Sequence, residues 1–235
     1  VLLKDDFSSL VMAVRYGRRI FANLRKAIVF VVAVHVPIVG LSILPVLLGW
    51  PLVLMPAHIL FLQLIIDPSC SLVFEAEEAE QDTMRGKPRR PDARLFDAAI
   101  LTRGLLQGGG LLALLCLVFV WSSRATQSDE MARAMTFTAL VLSNTGLIYV
   151  NRSWNGPAWR SDRVPNPYFN WMALFAVLLL VLVLATPGLA RLFSFSVPPL
   201  WMLAVAAGSA LLGTLWFEAM KSLLRRWQDR TPPVS

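Results

Sequence analysis

Six long apolar blocks, separated by polar segments, restrict the fold of this chain more than any other feature of its sequence. Each block reaches or approaches the roughly 20 residues that an α-helix needs to cross the hydrocarbon core of a bilayer. Hydrophobic residues make up 56% of the 235 residues and charged residues 16%, which is more apolar than a typical soluble domain. We therefore predict an all-α membrane protein with six transmembrane helices. The predicted spans are Ile20–Leu48, Leu52–Phe74, Ala98–Trp121, Ala134–Val150, Trp171–Leu189 and Leu200–Ala219.

The distribution of basic residues predicts the orientation of these spans. Segments 1–26, 75–103, 151–170 and 220–235 hold six, six, three and four of the 22 Lys and Arg residues. The three others lie on the opposite side, so the positive-inside rule makes both termini cytoplasmic, which an even number of spans also requires. The net charge of +7 is therefore interpreted as contact with lipid headgroups rather than with nucleic acid.

Asp67 is the residue that most suggests a function. It lies inside the second apolar block, where a carboxylate costs about 2.5–3.5 kcal/mol on insertion scales, and such a residue is a candidate functional group. Pro68 follows it and leaves the carbonyl of Leu64 without its helical donor. A charge and a free carbonyl at one depth indicate a cation site. The structural alternative is a buried aspartate paired with a basic residue, but no Lys or Arg lies mid-span to pair with it.

Further donors share the helix face of Asp67. Gln63 lies four residues before it and Ser71 four residues after it, which places all three on one side of a helix. Amide, hydroxyl and carboxylate oxygens are the ligands that hard cations prefer. Cys70, three residues after Asp67, leaves a soft-metal site as a minor alternative.

Two segments resemble a known family. Residues 5–28, DDFSSLVMAVRYGRRIFANLRKAI, are similar to the stretch that leads from the phosphorylation domain of a cation-transporting P-type ATPase into its fifth membrane helix. Residues 62–68, LQLIIDP, and 84–91, MRGKPRRP, resemble the sixth helix and the loop after it. The resemblance implies that the six spans correspond to helices five to ten. It is to the calcium-pump-like branch, and residues 35–38, HVPI, resemble bacterial members, which implies a multi-pass protein of the bacterial inner (plasma) membrane.

The resemblance also implies three parts along the chain. Residues 1–19 would be a cytoplasmic hinge from the phosphorylation domain, residues 20–219 the transmembrane transport domain, and residues 220–235 a basic cytoplasmic tail. Within the transport domain, residues 75–96 change from acidic to basic, and we interpret them as a solvated connector.

The catalytic parts of the family are not found in this sequence. The Asp-Lys-Thr-Gly phosphorylation motif, the nucleotide-binding domain, the actuator loop and the first four helices are missing, and the chain begins at Val1. We therefore expect the C-terminal transport portion of a longer pump, which cannot hydrolyse ATP alone. ATP and Mg²⁺ would be cofactors of the parent protein. The expected partners are the lipid bilayer, the transported cation and the N-terminal half of the pump, and nucleic acid is not among them.

The family's ion-ligand positions on the first two spans fall on residues of mixed suitability. On the second span they fall on Gln63, Ile66 and Asp67, of which Ile66 has no donor. On the first span they fall on His35 and Ile38, and Ile38 again has no donor. His35 can bind a metal, relay protons or act as an internal cation, with a purely structural hydrogen bond as the alternative.

A further ligand position implied by the resemblance falls on Asn144 in the fourth span, where an amide replaces an expected carboxylate. The alternative for Asn144 is an interhelical hydrogen bond among Thr138, Ser143 and Thr145. One carboxylate, two amides and one imidazole carry less charge than two dehydrated Ca²⁺ ions need. We expect one divalent ion at most, with Ca²⁺ as the first candidate, or else a monovalent cation or a proton.

The missing catalytic segment leaves a second hypothesis open. A stand-alone, non-enzymatic six-helix membrane protein, acting as a scaffold or a passive ion pathway, would have the same apolar blocks. An in-frame Asp-Lys-Thr-Gly motif encoded upstream of Val1 would favour the pump, and a start codon close to Val1 would favour the stand-alone protein.

Overall fold

The computed structural model of the protein describes residues 7–79, 84, 95–154, 156, 158 and 166–230, with side chains described up to Leu223. This part of the chain is helical and contains no strand, as the all-α prediction requires. A π-helix, Ser69–Phe74, continues the second α-helix without a break. The α-helices are α1 (Phe7–Leu48), α2 (Pro56–Pro68), α3 (Ala98–Thr126), α4 (Asp129–Asn151), α5 (Pro167–Ala185), α6 (Pro187–Leu192) and α7 (Leu200–Arg230).

Five of the six predicted spans are confirmed as helices that could cross a membrane. They are α1, α2 together with the π-helix, α3, α5 and α7 up to Leu223, each long and apolar enough for a span. The predicted fourth span lies within α4, whose 23 residues extend over about 34 Å, long enough to cross a bilayer. Its sequence is less apolar than that of the other five.

The long helices run in alternating directions. The starts of α1, α3 and α5 lie at the same end of the bundle as the ends of the π-helix, α4 and α7, since Arg25 of α1 pairs with Asp97 before α3 and Lys221 of α7 binds the end of α4. Most Lys and Arg side chains of the described part lie here, and we name it the basic end. The other is named the opposite end.

The predicted first span, Ile20–Leu48, lies inside a longer helix. Helix α1 starts at Phe7, and its 42 residues extend over about 63 Å, roughly twice the thickness of a hydrocarbon core. The residues before Ile20 mix basic and apolar side chains. Such a mixture can form a helix outside lipid, but it is not apolar enough to be predicted as part of a membrane span. Pro37 and Pro45 lie inside α1.

A close crossing joins α1 to α3. Gly104 and Gly108 lie one turn apart on the face of α3 that contacts α1. A Cβ atom on Gly104 would lie 2.7 Å from Val32, and one on Gly108 would lie 2.6 Å from both Ala33 O and Val36 Cβ. Small residues at this spacing let two membrane helices approach closely.

Helix α4 lies in the interior of the bundle, which explains its polarity. It packs against α1, α3, α5 and α7, and 16 of its 23 residues are buried. Gly146 allows close approach of α7, where a Cβ would collide with Thr214. The helix begins before the predicted Ala134, because the Ser128 hydroxyl caps it by accepting a hydrogen bond from Met131 N. The polar side chains in its middle, among them Thr138, Ser143 and Asn144, are buried against other helices.

The predicted fifth span, Trp171–Leu189, is wrong at its end. Helix α5 begins at Pro167, capped by Asn166, and stops at Ala185. Thr186 is extended because Pro187 follows it, and Pro187 cannot donate to the helical ladder. The chain then forms the separate short helix α6.

A buried histidine ties the opposite end together. His58 is completely buried, and its Nδ1 accepts a 2.9 Å hydrogen bond from Met55 N. Its Nε2–H therefore donates to Phe193 O, 2.9 Å away, which makes the ring neutral. Phe137, Phe193 and Phe195 surround this ring at centroid distances of 4.9 to 5.3 Å.

Candidate cation site

Asp67 lies in the last turn of α2 with its side chain exposed on the outside of the bundle. The same surface carries large apolar side chains, with Leu60 exposed to 74% and Leu64 to 52%. Asp67 forms no ion pair with any described side chain. The structural alternative for Asp67, a buried aspartate paired with a basic residue, is therefore not found in the described part of the chain.

The helix changes type directly after Asp67. Pro68 has no N–H for the carbonyl of Leu64, and the wider π-helix begins at the next residue, Ser69. Short π-helical turns are frequent at functional sites, because they redirect side chains and main-chain groups. The carboxylate and the Leu64 carbonyl thus lie at the boundary between two helix types.

The other predicted donors of this helix remain available from outside. Gln63 is half-buried and Ser71 is exposed. The Ser71 hydroxyl donates to the carbonyl oxygen of Asp67 at 3.1 Å, and its oxygen keeps lone pairs that can bind a cation. Cys70 lines a cavity of about 480 Å³ that Arg19 also lines, and a basic residue beside the thiol does not favour a soft-metal cation.

His35 lies on an open apolar groove of α1, and its neighbour Ile38 is buried. The His35 Nδ1 lies 2.8 Å from the carbonyl oxygen of Val31 in its own helix. A carbonyl only accepts, so Nδ1 carries a proton, and in the neutral ring Nε2 then keeps its lone pair. His35 therefore combines the structural hydrogen bond with a nitrogen that can bind a metal or a proton.

Asn144 is buried in α4, with 2% of its surface exposed, and neither atom of its amide has a hydrogen-bond partner in the described part. The predicted alternative, a hydrogen bond with Thr138, Ser143 or Thr145, is not formed there. The hydroxyls of Thr138 and Ser143 are also without partners among the described residues, and Thr145 donates to Val141 O. Buried amides without partners are rare in proteins, which keeps Asn144 a candidate ligand.

The predicted donors do not form a closed metal centre within this chain. No group of three or more His, Cys, Asp or Glu side chains that could hold a metal lies in the described residues. Asp67, Gln63 and Ser71 are together on the α2 and π-helix side, whereas His35 and Asn144 come from α1 and α4. Asp67, Gln63 and Ser71 thus offer an open group of oxygen donors rather than a complete cage.

Sequence reasoning missed a buried polar cluster at the basic end. The solvated connector predicted for 75–96 is wrong at its start, because Glu77 is only 6% exposed. It pairs with Arg152 and binds Asn166, and its carbonyl binds Asn23. The signal that could have indicated this cluster is the position of Glu77 shortly after the second apolar block and of Arg152 shortly after the fourth. Beyond Ala79, most residues of the segment 75–96 lie outside the described part.

The chain matches one family of known proteins over most of its length. A family profile described as "Cation transporting ATPase, C-terminus" matches residues 51–223.

Individual relatives agree with this match. Calcium-transporting ATPase 1 of Bacillus cereus is 30% identical over 210 residues, covering 82% of this chain and 23% of the relative. Calcium-transporting ATPase 1 of Lactococcus lactis is 29% identical over 224 residues, covering 95% of this chain and 25% of the relative. The sodium/potassium-transporting ATPase subunit alpha-B of Artemia franciscana is 37% identical over 115 residues, covering 46% of this chain and 11% of the relative. The chain thus spans about a quarter of the length of the calcium-transporting relatives.

Proposed function

Because the chain belongs to the C-terminal family of the cation transporting ATPases, we propose that it forms the cation-translocating membrane part of an ATP-driven pump. The observation that carries this proposal is Asp67, an exposed carboxylate beside Pro68, where an apolar α-helix passes into a π-helix. A charge at that depth is costly, and binding a cation in one state of a pump and releasing it in another gives the charge a function.

We favour Ca²⁺ as the transported ion. Carboxylate, amide and hydroxyl oxygens suit a hard cation, and two of the relatives above are named calcium-transporting. The donor set of this chain carries little charge, so it would hold one divalent ion at most. The proposed ligands are Asp67, Gln63, Ser71, His35 and Asn144.

The proposal includes six membrane spans, namely the five helices described above and α4, which is the fourth span along the chain. Its length matches a bilayer, and the polar side chains in its middle are shielded from lipid by the helices around it. The basic end would then lie in the cytoplasm of a bacterium, in keeping with the distribution of Lys and Arg. Both termini would be cytoplasmic.

The exposed surface around Asp67 is proposed to contact the N-terminal half of the pump. Leu60, Leu64 and Asp67 are exposed together on α2, which combines an apolar surface with a charge. About three quarters of the length of the calcium-transporting relatives lies outside this chain. That portion would complete the cation site and supply the ATP and Mg²⁺ chemistry.

The experiment that tests the proposal is a cation titration of phosphoenzyme formation from ATP in the full-length protein, with Asp67→Asn as the variant. We expect Ca²⁺ to support phosphorylation of the parent protein and the variant to lose this dependence, because asparagine keeps the shape of the side chain and removes the charge. Asp129→Asn, at an exposed position in the first turn of α4, is the matched control and should leave the titration unchanged. Identical titrations for Asp67→Asn and the parent would refute the assignment.

A further inference from the structure

The side chain of Glu77 binds the ends of two other helices at the basic end. Its Oε2 lies 2.8 Å from Arg152 Nε, and its Oε1 lies 3.4 Å from Arg152 Nη2, at the end of α4. The same Oε2 accepts a 2.7 Å hydrogen bond from Asn166, which caps α5. Arg152 and Asn166 are buried like Glu77 itself. Glu77 therefore fixes its own segment to α4 and α5.

The main chain of the same residue is held by α1. The carbonyl oxygen of Glu77 accepts hydrogen bonds from Asn23 Nδ2 at 2.6 Å and Arg19 Nε at 2.8 Å. The carbonyl oxygen of Ala76 accepts from Arg19 Nη2 at 3.0 Å. These carbonyls belong to the last turn after the π-helix, where main-chain acceptors need partners from outside the helix. Two side chains of α1 thus donate hydrogen bonds to the end of the helix that carries Asp67.

The main chain around Arg152, the ion-pair partner of Glu77, is itself bound by two lysines. Lys26 of α1 donates to Arg152 O at 2.7 Å. Lys221 of α7 donates to Val150 O and Ser153 O, on both sides of Arg152. A buried ion pair adds little net stability, since desolvation offsets the attraction. We therefore interpret the pair of Glu77 and Arg152 as fixing the relative position of the helices that it joins. Glu77 is the point at which α1, the end of α4 and the start of α5 meet.

The π-helix lies between this point and Asp67. Ten residues separate Asp67 from Glu77, about 15 Å along a helix axis. Beside the π-helix is the cavity of about 480 Å³ lined by Asn23, Cys70 and Phe74, which leaves room for the segment to shift. Prolines and π-helical turns are the places where helices kink, so the segment between Asp67 and Glu77 is where this helix can bend.

We propose that Glu77 is a positioning residue for the cation site. It holds the basic end of the Asp67 helix between α1 and the ends of α4 and α5, so that the position of Asp67 depends on the position of α1 through the π-helix. This inference rests on the proposed function for its effect on cation binding. It extends that function by naming the residue that connects α1 to the carboxylate.

The test uses the full-length protein with two variants and one matched control. Glu77→Gln removes the charge from the pair with Arg152. Asn23→Ala removes one hydrogen bond to the Glu77 carbonyl and leaves the ion pair intact, so it decides the question if Glu77→Gln fails to fold. Glu78→Gln makes the same change at the adjacent, exposed carboxylate.

Two measurements are made on each variant. The first is the Ca²⁺ concentration that half-saturates phosphorylation, which we expect to rise about tenfold in Glu77→Gln and in the same direction in Asn23→Ala, with little change in the maximal level. The second is the rate at which N-ethylmaleimide modifies Cys70, measured on the Cys70 peptide by mass spectrometry. A shift of the π-helix changes that rate, whereas Glu78→Gln should leave both measurements at the parent value.

Parent values of both measurements in Glu77→Gln, or in Asn23→Ala where Glu77→Gln does not fold, would overturn the inference. The proposed function fails separately, if Asp67→Asn keeps the cation dependence of the parent protein. In that case the Cys70 rate still reports on positioning by Glu77, because it requires no transport activity.

Discussion

Gly108 of α3 lies against the carbonyl oxygen of Ala33 in α1, which has no helical donor because Pro37 occupies the position four residues later. A Cβ atom on Gly108 would lie 2.6 Å from this oxygen. The Cα–H of a glycine can approach a carbonyl closely and gives it a weak partner. The main chain of a neighbouring helix therefore lies against the interruption in the hydrogen-bond ladder of α1.

Gly108→Ala should destabilise the protein, because the new methyl group collides with Ala33 O and with Val36. We expect a loss of about 1–3 kcal/mol, seen as a lower midpoint of thermal unfolding in detergent. Gly109→Ala is the matched control, since a Cβ on Gly109 meets nothing within 4 Å. The control should be neutral or slightly stabilising, as expected for alanine in a helix. Equal midpoints for the two variants would contradict the close crossing.

Asn144→Leu should have opposite effects on stability and cation binding. The variant removes two buried amide atoms that have no partner in the described part, and each such group costs about 1–3 kcal/mol. We therefore expect a higher unfolding midpoint without added cation. If Asn144 is a ligand, the same variant should need more Ca²⁺ for phosphorylation, and Ca²⁺ should raise its midpoint less than that of the parent.

Asn151→Leu is the control for this prediction, because Asn151 lies on the same helix and is equally buried. Its amide donates to Gln107 Oε1 and to Leu147 O, both at 3.0 Å. Removing that amide leaves buried acceptors unpaired, so the unfolding midpoint should fall. A lower midpoint for Asn144→Leu as well would show that the Asn144 amide is satisfied in the protein.

His58→Phe should destabilise the opposite end of the bundle while leaving the ring packing nearly unchanged. The variant leaves Met55 N–H and Phe193 C=O without partners, at about 1–3 kcal/mol for each buried group. The midpoint of thermal unfolding measures this loss. His35→Phe is the comparison, since His35 is only half-buried and bonds within its own helix, and its midpoint should change less. If His58→Phe unfolds at the midpoint of the parent protein, the hydrogen bonds of His58 do not stabilise the contact between α2 and the turn before α7.

The apolar blocks were sufficient to predict the helical fold, because lipid demands apolar side chains over a fixed length. They were insufficient where a helix leaves lipid or is covered by other helices. The start of α1 at Phe7 lies in a mixed basic segment, and α4 is more polar than the other spans because protein surrounds it. The break at Pro187 follows from the missing N–H of proline, a local signal that the length of the apolar block obscured.

The position of Asp67 beside Pro68 was readable from the sequence, but the environment of Glu77 was not. Its partners Asn23, Arg152 and Asn166 lie 54, 75 and 89 residues away in the chain. Such pairs depend on how helices pack, which hydrophobic periodicity does not encode. The absence of a partner for Asn144 is likewise a property of packing.

Pro68→Ala tests whether the Leu64 carbonyl is a cation ligand. Alanine restores the N–H that proline lacks, and this donor can bond the Leu64 carbonyl and extend the α-helical ladder beyond Asp67. We expect the half-saturating Ca²⁺ concentration to rise about tenfold, the loss expected when a single favourable ligand contact of roughly 1.4 kcal/mol is removed. The unfolding midpoint without cation should rise at the same time, because a helix-breaking residue is replaced by the best helix former.

Pro45→Ala is the matched control for Pro68→Ala, because it makes the same change within α1 close to the opposite end. It should leave the cation titration unchanged. A Pro68→Ala variant with the cation affinity of the parent would remove the Leu64 carbonyl from the site and leave Asp67 to bind with side-chain donors alone.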